Sequence, residues 1–209
     1  MISYRRLGVA LCVILATPAL SLAAVITFDA GVLDNAPVPS PYQGLNWDNF
    51  YGMNAVRFTF NPSGFVAGMV SSDFVAYNAF GDPASFSSDT PFDFNSAYLT
   101  GGWRDGLNVQ VQGFMGPTLA YDQTVVVAAT APTLFNFNYL GVDLVLFMSS
   151  GGVDQGYGLS GTHFVMDNMT INESVPEPGT SLLMLAGLGA LVALLRRKRT
   201  PDLTRPPRP

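Results

Sequence analysis

A nucleophilic triad needs a general base, and the chain supplies one histidine, His163, placed in a run that alternates like a strand. Ser160-Gly161-Thr162 precedes it without the Gly-x-Ser-x-Gly elbow that would present a serine for attack. Zinc fares no better, because the one cysteine is Cys12, near the N-terminus, and a single His leaves only carboxylates as further ligands. Carboxylates are plentiful: residues 24–173 hold twelve Asp and Glu173. Two of them at the right separation would serve glycoside hydrolysis. They are scattered, however, through turns such as Gly81-Asp82-Pro83 and Ser88-Asp89-Thr90, where Asp closes the turn by bonding to its own backbone. No catalytic residue is assigned, and the chain is read as a non-enzyme.

Aromatic side chains carry a second chemistry. Sugars stack their apolar faces on Trp and Tyr while Asn, Gln and Asp fix the hydroxyls. Tyr42, Trp47, Asn49, Tyr51, Trp103, Arg104, Asp105 and Tyr157 fall in expected loops or strand ends. Of these, Trp47, Tyr51 and Trp103 form the candidate ligand-binding set. Aromatic residues also fill β-sheet cores, as Phe28, Phe92, Phe94, Phe135 and Phe137 are expected to do, and a core or loop-anchor role competes for both tryptophans.

Charge removes one class of partner. Of the chain's ten basic residues, residues 24–173 keep Arg57 and Arg104 against thirteen acidic ones, a net charge near −11. Such a surface repels phosphates and lacks the basic stripe that nucleic acid binding requires. An acidic exported protein kept soluble by self-repulsion and an acidic surface that collects calcium both fit this balance.

The elements that must position these side chains read as strands. In residues 107–114, Leu107, Val109 and Val111 point one way and Asn108, Gln110 and Gln112 the other. Similar segments recur at 25–29, 56–60, 92–99, 119–129, 134–139, 142–148 and 163–171, separated by Gly, Pro, Asn, Asp or Ser. No stretch between them sustains a helical period. The expected class is all-β, an antiparallel two-sheet β-sandwich over residues 24–173. Residues 31–50, with Pro37, Pro39 and Pro41, read as an irregular connection.

Both ends read as addresses. Arg5 and Arg6 precede an apolar stretch to about Ala19, and Ser21-Leu22-Ala23 offers small residues for a signal peptidase, so residues 1–23 are expected to be a signal peptide. Once it is removed the chain has no cysteine, and cohesion must come from a packed core, with or without a metal. Residues 179–195 carry no charge and span ~25 Å as a helix, short of a hydrocarbon core of ~30 Å but close to it. Pro176 and Pro178 mark where that transmembrane helix begins, and Arg196, Arg197, Lys198 and Arg199 form a basic stop cluster that stays cytoplasmic. The Pro-rich residues 200–209 read as a disordered tail.

Pro176-Glu177-Pro178, followed by an apolar helix and a basic cluster within residues 174–199, resembles the PEP-CTERM sorting signal of Gram-negative bacteria that make extracellular polysaccharide. The resemblance implies an exosortase-type enzyme that recognises the tripeptide. It also implies transient residence in the inner membrane, and a destination at the cell surface or in an exopolysaccharide matrix. The alternatives are a secreted enzyme acting on polysaccharide and a membrane-anchored domain whose tail is never cut. The order of segments further resembles jelly-roll domains in which a first strand ending Phe-Asp lies beside a last strand carrying Asp-Asn. Here these are Thr27-Phe28-Asp29 and Val165-Met166-Asp167-Asn168. That juxtaposition implies one structural calcium held by Asp29, Asp167 and Asn168, the only cofactor expected. The competing reading has each Asp accepting backbone hydrogen bonds at a strand end.

Overall fold

The computed structural model describes residues 23–173, with Gly187 alone beyond them. The chain divides into units 1–173 and 174–209. The expected signal peptide up to Leu22, the expected transmembrane helix apart from Gly187, Pro176-Glu177-Pro178, the 196–199 basic cluster and the tail lie outside the described residues. Among the described residues no helix is long and apolar enough to cross a membrane.

Ten antiparallel strands carry the described unit. They are β1 (Ala24–Ile26), β2 (Ala36–Pro37), β3 (Asn46–Asp48), β4 (Phe50–Asn54), β5 (Phe74–Asn78), β6 (Ala84–Gly101), β7 (Arg104–Met115), β8 (Thr118–Val127), β9 (Thr133–Asp154) and β10 (Phe164–Ile171). A single helical turn, α1 (Gly64–Ala67), lies between β4 and β5. Its start is fixed by the Ser63 hydroxyl, which accepts from the Val66 N–H.

All ten strands join one hydrogen-bonded sheet in the order β2-β4-β5-β10-β6-β9-β7-β8, with β1 beside β10 and β3 beside β6. Two separate sheets were expected, and the difference lies in β6 and β9. Residues 84–87 of β6 pair with 144–147 of β9, residues 94–99 pair with 133–139, and the register shifts in between. Ser88-Asp89-Thr90-Pro91 and Gly141, at φ 67°, interrupt the regular pleat there. The long strands therefore run from one layer into the other. Val109, Val111 and Val125 of the β7–β8 end pack in one cluster with Ile26, Leu99 and Met166 of the β1–β10 end. The sheet is folded over its own inner face, giving the layering of a sandwich from one continuous ladder.

The core is aromatic. Phe147 contacts Phe50 at 5.8 Å, Phe86 at 5.7 Å, Phe94 at 6.1 Å and Phe164 at 5.5 Å between ring centroids, and all five rings are buried. β7 is the strand most faithful to its alternation: Leu107, Val109 and Val111 face this core, while Gln110 and Gln112 point out and donate to the Asp122 carboxylate of β8. Gly113 interrupts β7 because a Cβ there would meet the Tyr139 ring at 2.7 Å, where Tyr139 stacks on Tyr121 at 4.6 Å.

β5 and β10 are buried on both faces. Ala76, Phe164 and Met166 face the main core, whereas Val75, Tyr77 and Val165 face a second cluster. That two-sided burial explains why β5 is not legible as a strand: Phe-Val-Ala-Tyr-Asn shows no polar alternation. The expected strand at 56–60 is instead turn and coil, and the irregular connection at 31–50 contributes β2, β3 and the start of β4.

Truncating the ring that bridges both layers tests this account. Phe147→Ala is expected to cost about 3–5 kcal/mol in urea unfolding, whereas Val126→Ala on the exposed face of β8 should fall within about 0.5 kcal/mol of the parent.

Candidate functional site

The second cluster lies on the outer face of β4, β5 and β10. Met53, Val75, Tyr77 and Val165 supply its floor, and Phe65 of α1 and Trp103 of the β6–β7 turn cover it. α1 can approach because Gly64 donates its N–H to the Gly102 carbonyl at 2.9 Å and has no side chain to strike Gly101. The Phe65 ring then reaches Trp103 at 4.9 Å and Tyr77 at 5.2 Å.

Two adjoining cavities open beside these rings. One, of about 260 Å³, is bounded by Phe58, Phe65, Tyr77 and Trp103 together with Asn35, Ser160 and His163. The second, of about 280 Å³, shares Asn35, Met53 and Phe58 and adds Asp34, Asn54, Arg57 and Thr59. Tyr77 crosses the floor and donates its hydroxyl to Asn35 Oδ1 at 3.1 Å. Burial pushes the Tyr77 hydroxyl above its ordinary pKa, with the neighbouring Tyr51 and Asp34 acting in the same direction, so it stays protonated at neutral pH.

Burial pulls the His163 pKa down against the opposing charge of Asp82, and its Nδ1 is buried without a hydrogen-bond partner, so no carboxylate orients the ring through that nitrogen. Asp34 is the one carboxylate bounding these two cavities, and its Oδ1 is already taken by the Asn54 N–H at 2.8 Å. Neither cavity offers the two facing carboxylates that glycoside hydrolysis requires.

The three candidate sugar-binding residues separate. Trp47 is 7 % exposed and belongs to the main core, with its ring 5.4 Å from Phe28, 5.3 Å from Phe50 and 5.2 Å from Phe86. Its Nε1 donates to the Tyr42 carbonyl at 3.0 Å, which anchors the loop before β3. Trp103 is 3 % exposed and walls the first cavity. Tyr51 is half-buried, 6.2 Å from Tyr77 and 6.0 Å from Phe80. The two tryptophans therefore share no groove, while Tyr51 and Trp103 belong to one aromatic cluster.

Sequence reasoning missed Tyr77 and Phe58 as members of that cluster, and Phe80 beside Tyr51. Phe80 left a faint signal, a large apolar residue between Asn78-Ala79 and Gly81-Asp82-Pro83, where turn formers would be expected.

Asp29 and Asp167 grip one segment, residues 70–74, from two sides. Fully buried Asp167 accepts at Oδ2 from the N–H groups of Val70 at 2.7 Å and Ser71 at 2.8 Å, and at Oδ1 from Asn168 N–H at 2.7 Å and the Ser71 hydroxyl at 3.0 Å. Asp29 accepts from the N–H groups of Ser72, Asp73 and Phe74 at 3.0–3.3 Å. Burial raises the Asp167 pKa against the donors of Ser71, Val70 and Asn168. Burial acts in the same sense on Asp29, but the donors of Phe74, Ser71, Asp73 and Ser72 outweigh it and hold that carboxyl below its ordinary value.

This arrangement does not fit the calcium expected at Asp29, Asp167 and Asn168. N–H donors already face the oxygens that would have to face a cation, and the Asn168 side-chain oxygen is buried but stands alone as a free ligand. Among the described residues no group of three or more acidic or His side chains is close enough to hold a metal. β1 does lie beside β10, with Ile26 opposite Met169, so the two aspartates work as a clasp between the chain's first and last strands and the segment before β5.

The described residues thus form an all-β domain with an aromatic groove on one outer face. Beyond them, residues 174–199 match the model of the PEP-CTERM protein-sorting motif. The chain carries that motif, which marks a protein for export and sorting to the cell envelope or surface and implies processing by an exosortase. No curated protein matches the chain. Among solved structures it is similar to TmCBM61 in complex with beta-1,4-galactotriose, at 11 % identity and a TM-score of 0.34 over 69 % of this chain and 92 % of that one. It is also similar to a CBM4 structure, at 17 % identity and a TM-score of 0.30 over 58 % of this chain and 84 % of the other.

The clasp makes two predictions. A carboxyl with a lowered folded-state pKa stabilises the fold above its unfolded value, and that contribution is lost as pH falls through the folded value. The melting midpoint of the parent is therefore expected to fall more steeply below pH ~4 than that of Asp29→Asn. At neutral pH a chelator should leave the parent's midpoint unchanged, and a drop of several degrees would show that a divalent ion occupies the clasp.

Proposed function

We propose that this chain is an exported, exosortase-sorted protein of the cell surface or extracellular matrix, non-enzymatic and associated with exopolysaccharide. The observation that carries the reading is the PEP-CTERM match at residues 174–199, which begins immediately after the last described residue of the β domain, Glu173. The leader at 1–23 is taken as a signal peptide, and the apolar run at 179–195 as the helix that holds the protein in the inner membrane until an exosortase acts near Pro176-Glu177-Pro178. The ectodomain is read as jelly-roll-like, supported by the folded sheet and by the first and last strands lying side by side.

The binding reading is supported by the groove itself, which combines aromatic rings with amides and hydroxyls. An acidic ectodomain with a net charge near −11 also stays soluble and apart from its own copies outside the cell.

Mass spectrometry of the mature protein from the producing cells tests the sorting step. The expected C-terminus lies near the tripeptide, with residues beyond Leu195 absent. Molecules that keep Arg196 to Arg199 would instead indicate a domain that stays anchored and uncut.

A further inference from the structure

We propose that the aromatic strip from Phe80 and Tyr51 across Tyr77 to Trp103, with the cavities beside it, binds a neutral polysaccharide. The inference rests on the exopolysaccharide reading above and assigns it a surface and a ligand charge.

The first observation is Phe80. It is 76 % exposed and sits in the left-handed region at φ 60°, ψ 3°, a conformation that a bulky side chain adopts only at a cost. The fold does not need a phenylalanine there. Asn78, fully buried, already fixes the turn by donating to the Asp82 carbonyl at 3.0 Å and accepting from the Phe164 N–H at 2.7 Å. Exposure and backbone strain both act against stability, yet together they hold a ring outward beside half-buried Tyr51 at 6.0 Å. Aromatic contacts then continue inward from Tyr51 to Tyr77 at 6.2 Å, to Phe65 and to Trp103.

The second observation is the mixed character of the lining. The rings of Phe58, Tyr77 and Trp103 bound the same cavities as the amides of Asn35 and Asn54 and the hydroxyls of Thr59 and Ser160. A pyranose has a matching mixture, with C–H groups on its faces and hydroxyls around its edge.

The domain's net charge selects among sugars. The lining itself carries one charge of each sign, Asp34 and Arg57, but with thirteen acidic groups against two arginines in residues 24–173 a uronate or sulfated polymer would approach the domain as a whole against repulsion. A neutral chain meets no such barrier.

The test is native electrophoresis of the full-length protein, solubilised in detergent, through gels containing galactan, β-glucan, mannan or polygalacturonate. At least one neutral polymer should retard the parent, and polygalacturonate should not. Phe80→Gly relieves the left-handed backbone and removes the ring, so it should melt at or above the parent's midpoint while its apparent Kd weakens about tenfold. Tyr51→Ala should weaken binding to a similar degree. Failure of every neutral polymer to retard the parent, equal retardation of Phe80→Gly, or equal retardation by polygalacturonate would overturn the proposal. Fractionation of the producing cells separates the two readings. A processed, surface-held protein that binds none of the polymers would remove the groove and leave sorting intact, whereas an uncut chain in the cytosol would remove both.

Discussion

Phe147 sits where the two ends of one sheet meet, and the cohesion of the domain depends on rings packed around it. Without cysteine in residues 24–173 no disulfide can limit the unfolded chain, so the free energy of folding must come from burial. Phe50, Phe86, Phe94 and Phe164 supply large apolar areas in edge-on, tilted and stacked arrangements at 5.4–6.4 Å. With Phe147 they come from four strands, so the cluster ties β4, β6, β9 and β10 into one unit. The bends in β6 and β9 are what allow a continuous ladder to bring those strands face to face.

Once the sheet is folded, its outer face at β4, β5 and β10 also becomes apolar, and that has to be covered. α1, Trp103 and the segments around Phe58 and Leu159 do so incompletely, leaving cavities where a fully packed layer would have left none. The clasp formed by Asp29 and Asp167 belongs to the same economy of parts. Residues 70–74 lead from α1 into β5, and several of their backbone N–H groups have no strand partner. Two carboxylates, Asp29 just after β1 and Asp167 in β10, satisfy them. A feature that resembles a cation site is therefore spent on holding the lead into β5.

The division of labour along the chain is physical as well as genetic. Eight of the ten basic residues fall in the terminal segments, and thirteen of the fifteen acidic ones fall in residues 24–173. A surface of that charge disfavours acidic polymers, so the exopolysaccharide association proposed above would rest on ring stacking and neutral hydrogen bonds.

The sequence by itself determined the sorting motif and the all-β class. An uncharged run of seventeen residues between a Pro-Glu-Pro tripeptide and four basic residues is a one-dimensional pattern, and the strict alternation of Leu107, Val109 and Val111 is another. It also held the acidic balance that argues against nucleic acid. Tertiary structure decided the rest, because burial on both faces erases the alternation by which a strand is recognised, as in β5, and because no local signal says which layer a long strand will cross into. Trp47 and Trp103 look alike in sequence, each a tryptophan beside polar neighbours in an apparent loop. One is enclosed by rings from β4, β6 and the first strand's end and the other walls a cavity, since residues distant along the chain, Phe86 for the first and Phe65 for the second, decide what surrounds each ring.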